Sequence, residues 1–248
     1  MSYEAPPPPD LREVGKGPDG APIHSDRRLF MRLQAFGGVT DFAALSAAVA
    51  NAGFDAVLYE DLHDAQGCAL LAMAEDPSFF LETVNPWLRA SPFAALAQKH
   101  EFTMFGRSYS IGYENDLDAV LVKRPRNRAL SVKFPWVVWY PVRRSGAFAK
   151  LPPKEQNAIL GEHGTIGASF GGADLAHDIR LACFGMDRND NDFVVGLVGK
   201  DFFPLSAIVQ TMRKTRQTSE FLTNLGPFFC GRVLTRCDTR PKAAPPPA

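Results

Sequence analysis

Apolar patterning between residues 27 and 236 runs through one order of strand and helix signals and then runs through it again. In the first half, Arg28 to Phe36 reads as a strand. Thr40 then precedes a helical stretch, DFAALSAAVANAG, that stops at Gly53. Asp55 to Leu62 and Ala69 to Ala74 read as two strands joined through Gln66 and Gly67. Asp76-Pro77 opens a helix to about Arg89 that Pro86 should bend or end early, and Phe102 to Tyr113 closes as a strand. In the second half, Leu130 to Tyr140 (LSVKFPWVVWY) is strand-like, Pro152 to Glu162 is helical with a stop at Gly164, and Ile179 to Phe184 and Phe193 to Val198 are strands. Leu205 to Ser219 is helical, and Phe228 to Leu234 is the final strand. A chain that must satisfy this order twice has few ways to bury its apolar faces.

The order β-α-β-β-α-β in each half is the ferredoxin-like arrangement. The expected fold class is α+β: two ferredoxin-like βαββαβ repeats with antiparallel sheets and outer helices, the sheets packed face to face or curled into a barrel. Short echoes support the duplication. Phe105-Gly106-Arg107 returns as Cys230-Gly231-Arg232, and EDPSFF is matched by KDFFPL. The expected boundaries are a tail over 1–26, repeats over 27–126 and 127–236, and a tail over 237–248. The Pro- and Gly-rich composition of the tails predicts disorder.

With 248 residues, 46% of them apolar, the chain can bury a sizeable core. A formal net charge of zero argues against nucleic-acid binding. No apolar run has the length of a membrane span, and MSYEAPPPPD lacks the features of a secretory signal. Cys68, Cys183, Cys230 and Cys237 form no CxxC pair. The expectation is reduced thiols and a cytoplasmic location.

The sequence holds no GxGxxG after a strand, no P-loop and no HExxH. His24, His63, His100 and His177 have no second ligand at metal spacing. The residues that invite a chemical reading lie in the second half. They are Tyr140-Pro141-Val142-Arg143-Arg144 after an aromatic strand, Glu162-His163-Gly164 at an expected helix end, Asp178-Ile179-Arg180 opening a strand, and Arg213 with Thr218 and Ser219 late in the last helix. Taken singly, each has an ordinary structural role; a His before Gly, for instance, caps a helix.

Taken together, they resemble the chlorite dismutase and coproheme decarboxylase family. Tyr140-Pro141 with Arg144 is similar to a Tyr-Pro-x-x-Lys segment. Leu151-Pro152 followed by His163-Gly164 resembles the family's Leu-Pro to His-Gly helix. Gly185-Met186-Asp187 with Asp192-Phe193, and Met212-Arg213 with Thr218 and Gly226-Pro227-Phe228, continue the likeness. The likeness spans about residues 27 to 236 and is specific over 136 to 232.

The resemblance implies that His163 is the iron ligand of a bound porphyrin, either haem b or iron coproporphyrin III. It implies that Tyr140 is a redox-active residue beside a reactive propionate, that Arg144 assists at a propionate, and that Arg213 and Thr218 hold propionates. Trp139 and Phe148 are expected beside the porphyrin. The sequence departs from the family in having Arg144 for Lys, Phe148 for Trp, and a longer loop at 188–191. The distal position falls on Asp178 or Arg180. Both lie on one strand face, so alternation does not choose between them.

The leading expectation is peroxide-dependent oxidative decarboxylation of two propionates of iron coproporphyrin, yielding haem b, with hydrogen peroxide as oxidant. The alternatives are chlorite dismutation or haem peroxidase activity with Arg180 distal, and a non-catalytic haem-binding or sensor role. A homo-oligomer, by family likeness a pentamer, is expected.

Overall fold

A computed structural model describes residues 7–241. The chain begins with a hairpin, β1 (Glu13–Lys16) and β2 (Pro22–Ser25). This corrects the expectation of a disordered tail over 1–26 as far as those residues go. Composition is a poor guide here because the hairpin is anchored by charge. Glu13 is 11% exposed and pairs with Arg28 and Arg107, and it also accepts hydrogen bonds from Ser110 N and Oγ. Residues 1–6 of that expected tail, and 242–248 of the other, lie outside the described residues.

The first repeat follows as β3 (Phe30–Gly37), α1 (Phe42–Ala50), β4 (Ala56–Asp61), β5 (Cys68–Ala74), α2 (Asn85–Ala90) and β6 (Ala97–Arg107). Asp41 caps α1, accepting from Ala44 N. Pro86 does not end its helix. It occupies the first turn of α2, directly after a π turn at Phe80–Val84, and the irregular backbone lies upstream of the missing donor. The same device recurs at a π turn over Ala119–Lys123 and α3 (Arg124–Leu130), with Pro125 in the first turn. The sequence reading contained no helix there, and the expected boundary between residues 126 and 127 falls inside it.

The second repeat is β7 (Trp136–Arg144), a short α4 (Gly146–Ala149), α5 (Pro153–Gly172), β8 (His177–Ala182), β9 (Phe193–Gly199), α6 (Phe202–Met212), α7 (Arg216–Phe221), β10 (Leu222–Leu225) and β11 (Phe229–Cys237). Three differences from expectation bear on the candidate residues. Tyr140-Pro141 is inside β7 rather than at its end. The helix carrying His163 continues through Gly164 to Gly172. Ile166 and Phe170 on its later turns pack against the sheet, and their burial outweighs a cost of about 1 kcal/mol for helical glycine. The expected helix Leu205–Ser219 is two helices, because Thr215 adopts extended backbone at φ −74° and ψ 152°.

Nine strands form one sheet in the order β10-β7-β11-β4-β5-β3-β6-β8-β9, and an additional β7–β9 pairing closes it into a barrel. Every pairing is antiparallel. Within each repeat the strands lie in ferredoxin-like order: β4-β5-β3-β6 and β8-β9-β7-β11. The fourth strand of each repeat passes the second strand of the other, β6 beside β8 and β11 beside β4. The two echoed glycines sit at these two seams. A Cβ on Gly106 would lie 2.9 Å from the Ala182 carbonyl oxygen, and one on Gly231 would lie 2.7 Å from that of Glu60. The repeated Gly-Arg therefore marks where two backbones crowd together as the barrel closes.

Leu33, Tyr59, Leu71, Trp139, Ile179, Leu181 and Phe229 fill the barrel interior. The outer face of the first repeat packs on α1 and α2 through Leu45, Val49, Leu58 and Leu70. The outer face of the second packs on α5 and α6 through Val138, Tyr140, Val142, Leu197, Leu205 and Ile208. The C-terminal strand is longer than expected, running to a buried Cys237, and Thr239 beyond it donates to Asp55.

Candidate functional site

The two-residue period of the strands separates the candidate residues into two groups. Tyr140 faces outward from β7, between Val138 and Val142, toward α5 and α6. Trp139, its neighbour, faces the barrel interior, where it is 1% exposed and its ring occupies the space a Cβ on Gly196 would take. Trp139, expected beside the porphyrin, therefore lies on the opposite face of β7 from Tyr140.

Asp178 and Arg180 share the outward face with Tyr140. Arg180 is opposite Val195, and Val195 is opposite Tyr140. This places Arg180 and Tyr140 in one row across three strands, roughly 10 Å apart at Cα by strand spacing. Tyr140 in turn stacks on Phe228, with centroids 4.8 Å apart. Asp178 lies one row away and pairs with two cations. Its carboxylate forms an ion pair with Arg180 Nε at 2.9 Å and accepts from Arg128 Nη1 at 2.8 Å, and Arg128 also donates to the Asp178 carbonyl. Arg128 comes from α3 and covers the stretch of β8 that no strand pairs. The two rivals for the distal position are thus one ion pair, with Arg180 in the Tyr140 row and Asp178 holding it.

Burial pushes the Tyr140 phenol well above its ordinary value. Asp178 acts in the same direction and Arg213 opposes it. Burial works against the Arg180 cation, but Asp178 and the phenols of Tyr109 and Tyr113 outweigh it and leave the guanidinium above its usual value.

Arg144, at the end of β7, lies over two aromatic faces. Its guanidinium carbon is 4.3 Å from the Phe148 ring centroid and 4.9 Å from that of Phe193. Phe148 is buried and packs edge-on against Phe221. Arg144 forms no ion pair among the described residues, and its Nε is buried without a hydrogen-bond partner. Burial lowers its pKa, with Tyr109 and Asp192 opposing. A half-buried cation with a stranded donor is suited to an incoming carboxylate.

His163 projects from the middle of α5. Its Nδ1 is 2.9 Å from Thr215 Oγ1, and Thr218 Oγ1 is 3.4 Å beyond. Burial lowers the His163 pKa below its ordinary 6.5, the Arg144 cation adds to this, and Glu162 opposes it. Both effects favour the neutral ring, the form that binds metal. Arg213 caps α6, is exposed, and lies near enough to Tyr140 to act on its phenol. Arg213 and Thr218 belong to different helices rather than to one.

The structure thus gathers Tyr140, Arg144, Phe148, His163, Arg180, Arg213 and Thr218 around the outer face of the second repeat, with Asp178 behind Arg180. The sequence reading missed Thr215, Arg128 and Tyr109. Tyr109 follows β6, packs on Phe193 at 5.7 Å and lies near both Arg144 and Arg180. None carries a local signal, since their roles depend on elements distant in the chain.

A family model described as chlorite dismutase matches residues 84–234, more than half of the chain. The chain belongs to the chlorite dismutase family. Solved structures agree in fold. A haem-binding protein from Thermus thermophilus is 20% identical, with a TM-score of 0.66, covering 84% of this chain and 92% of that one. A chlorite dismutase from Candidatus Nitrospira defluvii, in complex with imidazole, is 14% identical with a TM-score of 0.61, covering 83% and 91%. No curated protein matches the sequence.

The side chains present fit the iron porphyrin that the family implies. His163 offers a neutral nitrogen, and the stranded Nε of Arg144 calls for an anionic partner. Among the described residues no group of three His, Cys, Asp or Glu side chains could hold a metal ion.

Proposed function

We propose that this chain is a haem-dependent oxidoreductase that converts iron coproporphyrin III to haem b with hydrogen peroxide. The observation that carries this reading is a buried phenol, Tyr140, close to Arg213 and on the same strand as Arg144, cations with no ion-pair partner among the described residues. That arrangement suits a substrate whose reacting groups are themselves carboxylates.

The bound iron porphyrin supplies the oxidising chemistry, each propionate giving a vinyl group and carbon dioxide as two electrons pass to one peroxide. His163 gives its Nε2 to the iron. Arg144, Arg213 and Thr218 hold the propionate oxygens through charge-assisted and hydroxyl hydrogen bonds. The Tyr140 Oη keeps its proton over the working pH range and so has a hydrogen to give beside a propionate. Phe148 and Phe193 shield Arg144 from water and strengthen its pull on a carboxylate. Arg144 stays charged throughout, which makes it a holding group rather than a proton carrier.

Adding peroxide to the protein loaded with iron coproporphyrin should remove two carboxyl groups in steps, read by mass spectrometry. Tyr140→Phe should leave the porphyrin intact. Bleaching without decarboxylation in the unaltered protein would rule the reading out.

A second reading has its own observation. Arg180 is a guanidinium in the Tyr140 row, steadied by Asp178, and a cation there suits an anionic oxidant such as chlorite. It requires oxygen release from chlorite by the haem-loaded protein, lost in Arg180→Ala. We also propose, from family likeness alone, that the chain assembles as a homopentamer, which light scattering would test.

A further inference from the structure

An imidazole that binds iron must present a lone pair at one ring nitrogen and carry its proton on the other. Which nitrogen is which depends on what the second one meets. In this chain Nδ1 of His163 meets a hydroxyl, Thr215 Oγ1, at 2.9 Å. A hydroxyl has one proton. Thr215 Oγ1 also lies 2.7 Å from the Met212 carbonyl oxygen. Two oxygens at that distance with no proton between them repel, so the Thr215 proton points at Met212. The lone pairs of Thr215 are left for His163. Nδ1 must therefore be the donor, and Nε2 keeps the lone pair.

The break between α6 and α7 serves this contact. Thr215 N donates to the Met212 carbonyl at 3.1 Å, ending α6, and the extended backbone of Thr215 then starts α7. Thr215 is 5% exposed, so water does not compete for Oγ1. The neighbouring residue on α5 holds the same junction from the other side. Glu162 Oε2 accepts from Arg216 N at 2.9 Å, and Arg216 pairs with Glu155 and Glu220. The nearest carboxylate is thus spent on backbone and does not reach Nδ1.

We infer that Thr215 is the positioning residue of the iron ligand: it accepts from His163 Nδ1 and so holds the ring with Nε2 free for iron. Because the acceptor is a neutral hydroxyl, the imidazole keeps its Nδ1 proton. It is a weaker electron donor than a ring bonded to a carboxylate, and the iron's reduction potential is correspondingly higher. This inference rests on His163 being the ligand.

Two measurements test it. Nitrogen NMR of the porphyrin-free protein, with the His163 signals assigned through His163→Ala, should show the proton on Nδ1; a proton on Nε2 overturns the inference without any change at Thr215. In the haem-loaded ferrous protein, the iron–histidine stretching band should fall in frequency in Thr215→Val, with haem released about 10-fold faster, and both should be retained in Thr215→Ser. If the band disappears in His163→Ala but is unchanged in Thr215→Val, the Thr215 inference fails and the ligand assignment stands. If the band survives in His163→Ala, the ligand assignment fails, and the inference fails with it.

Discussion

His163 shows how far a single residue can be read. A His before a Gly suggests a helix end, and by itself that reading is the simpler one. Inside α5 the ring is instead half-buried, with Nδ1 against Thr215 and Arg144 near, and desolvation lowers its pKa below 6.5. The sign of the pH effect follows. Above pH 6.5 the ring is neutral whether folded or unfolded and contributes no pH dependence. As pH falls through 6.5 the unfolded chain takes up a proton that the folded one refuses, so stability falls until the lowered folded pKa is reached. Denaturant unfolding of the porphyrin-free protein should therefore lose more stability between about pH 7 and pH 5 than His163→Gln does. Equal losses would mean the ring is not held neutral by the fold.

At the scale of elements, the N-terminal hairpin is the part that composition misjudged. Proline and glycine around residues 1–26 argue against a core, yet Ile23 of β2 packs on Leu117, Leu121 and Val122, and charge does the rest. Glu13 is the anchor, buried between Arg28 and Arg107 and capping Ser110, and Lys16 N adds a bond to the Glu114 carbonyl. The loop so held begins with Tyr109, which reaches the site. Glu13→Ala strands two partly buried guanidinium groups and should cost about 1–3 kcal/mol, read as a lower urea midpoint. An unchanged midpoint would mean the hairpin contributes nothing to the folded state. The break between α6 and α7 was equally illegible. Its apolar stripe runs through Leu205, Ile208 and Met212, and the polar stretch after it carries no turn residue to mark the extended backbone at Thr215.

At the scale of the molecule, closure of the barrel depends on two crowded seams. The recurrence of Gly before Arg in β6 and β11 was visible in the sequence as an echo; what it was for was not. Gly231→Ala would put a Cβ 2.7 Å from the Glu60 carbonyl, an atom that cannot swing aside, and should destabilise by about 1–3 kcal/mol. Gly106→Ala should behave alike, and thermal unfolding of both would show it. A change in one alone would mean that the duplicated halves do not close by the same contact. Among the described residues no helix is long and apolar enough to cross a membrane.

The sequence by itself determined the order of the main strands and helices of each repeat, the duplication and the family. These rest on local signals: apolar period, Pro and Gly punctuation, and short motifs whose spacing survives in one chain. It also set which residues of one strand share a face, such as Asp178 and Arg180; the register across β8, β9 and β7 put Arg180 in the Tyr140 row and left Trp139 on the other face. Only the tertiary structure decided what each site residue touches. Arg144 is stranded between Phe148 and Phe193, Asp178 is tied to both Arg180 and Arg128, and His163 finds its partner 52 residues away in Thr215. The reason is physical. Hydrogen bonds and ion pairs act over a few ångströms in space, and strands that meet across a closed barrel bring together residues whose spacing in sequence carries no trace of the contact.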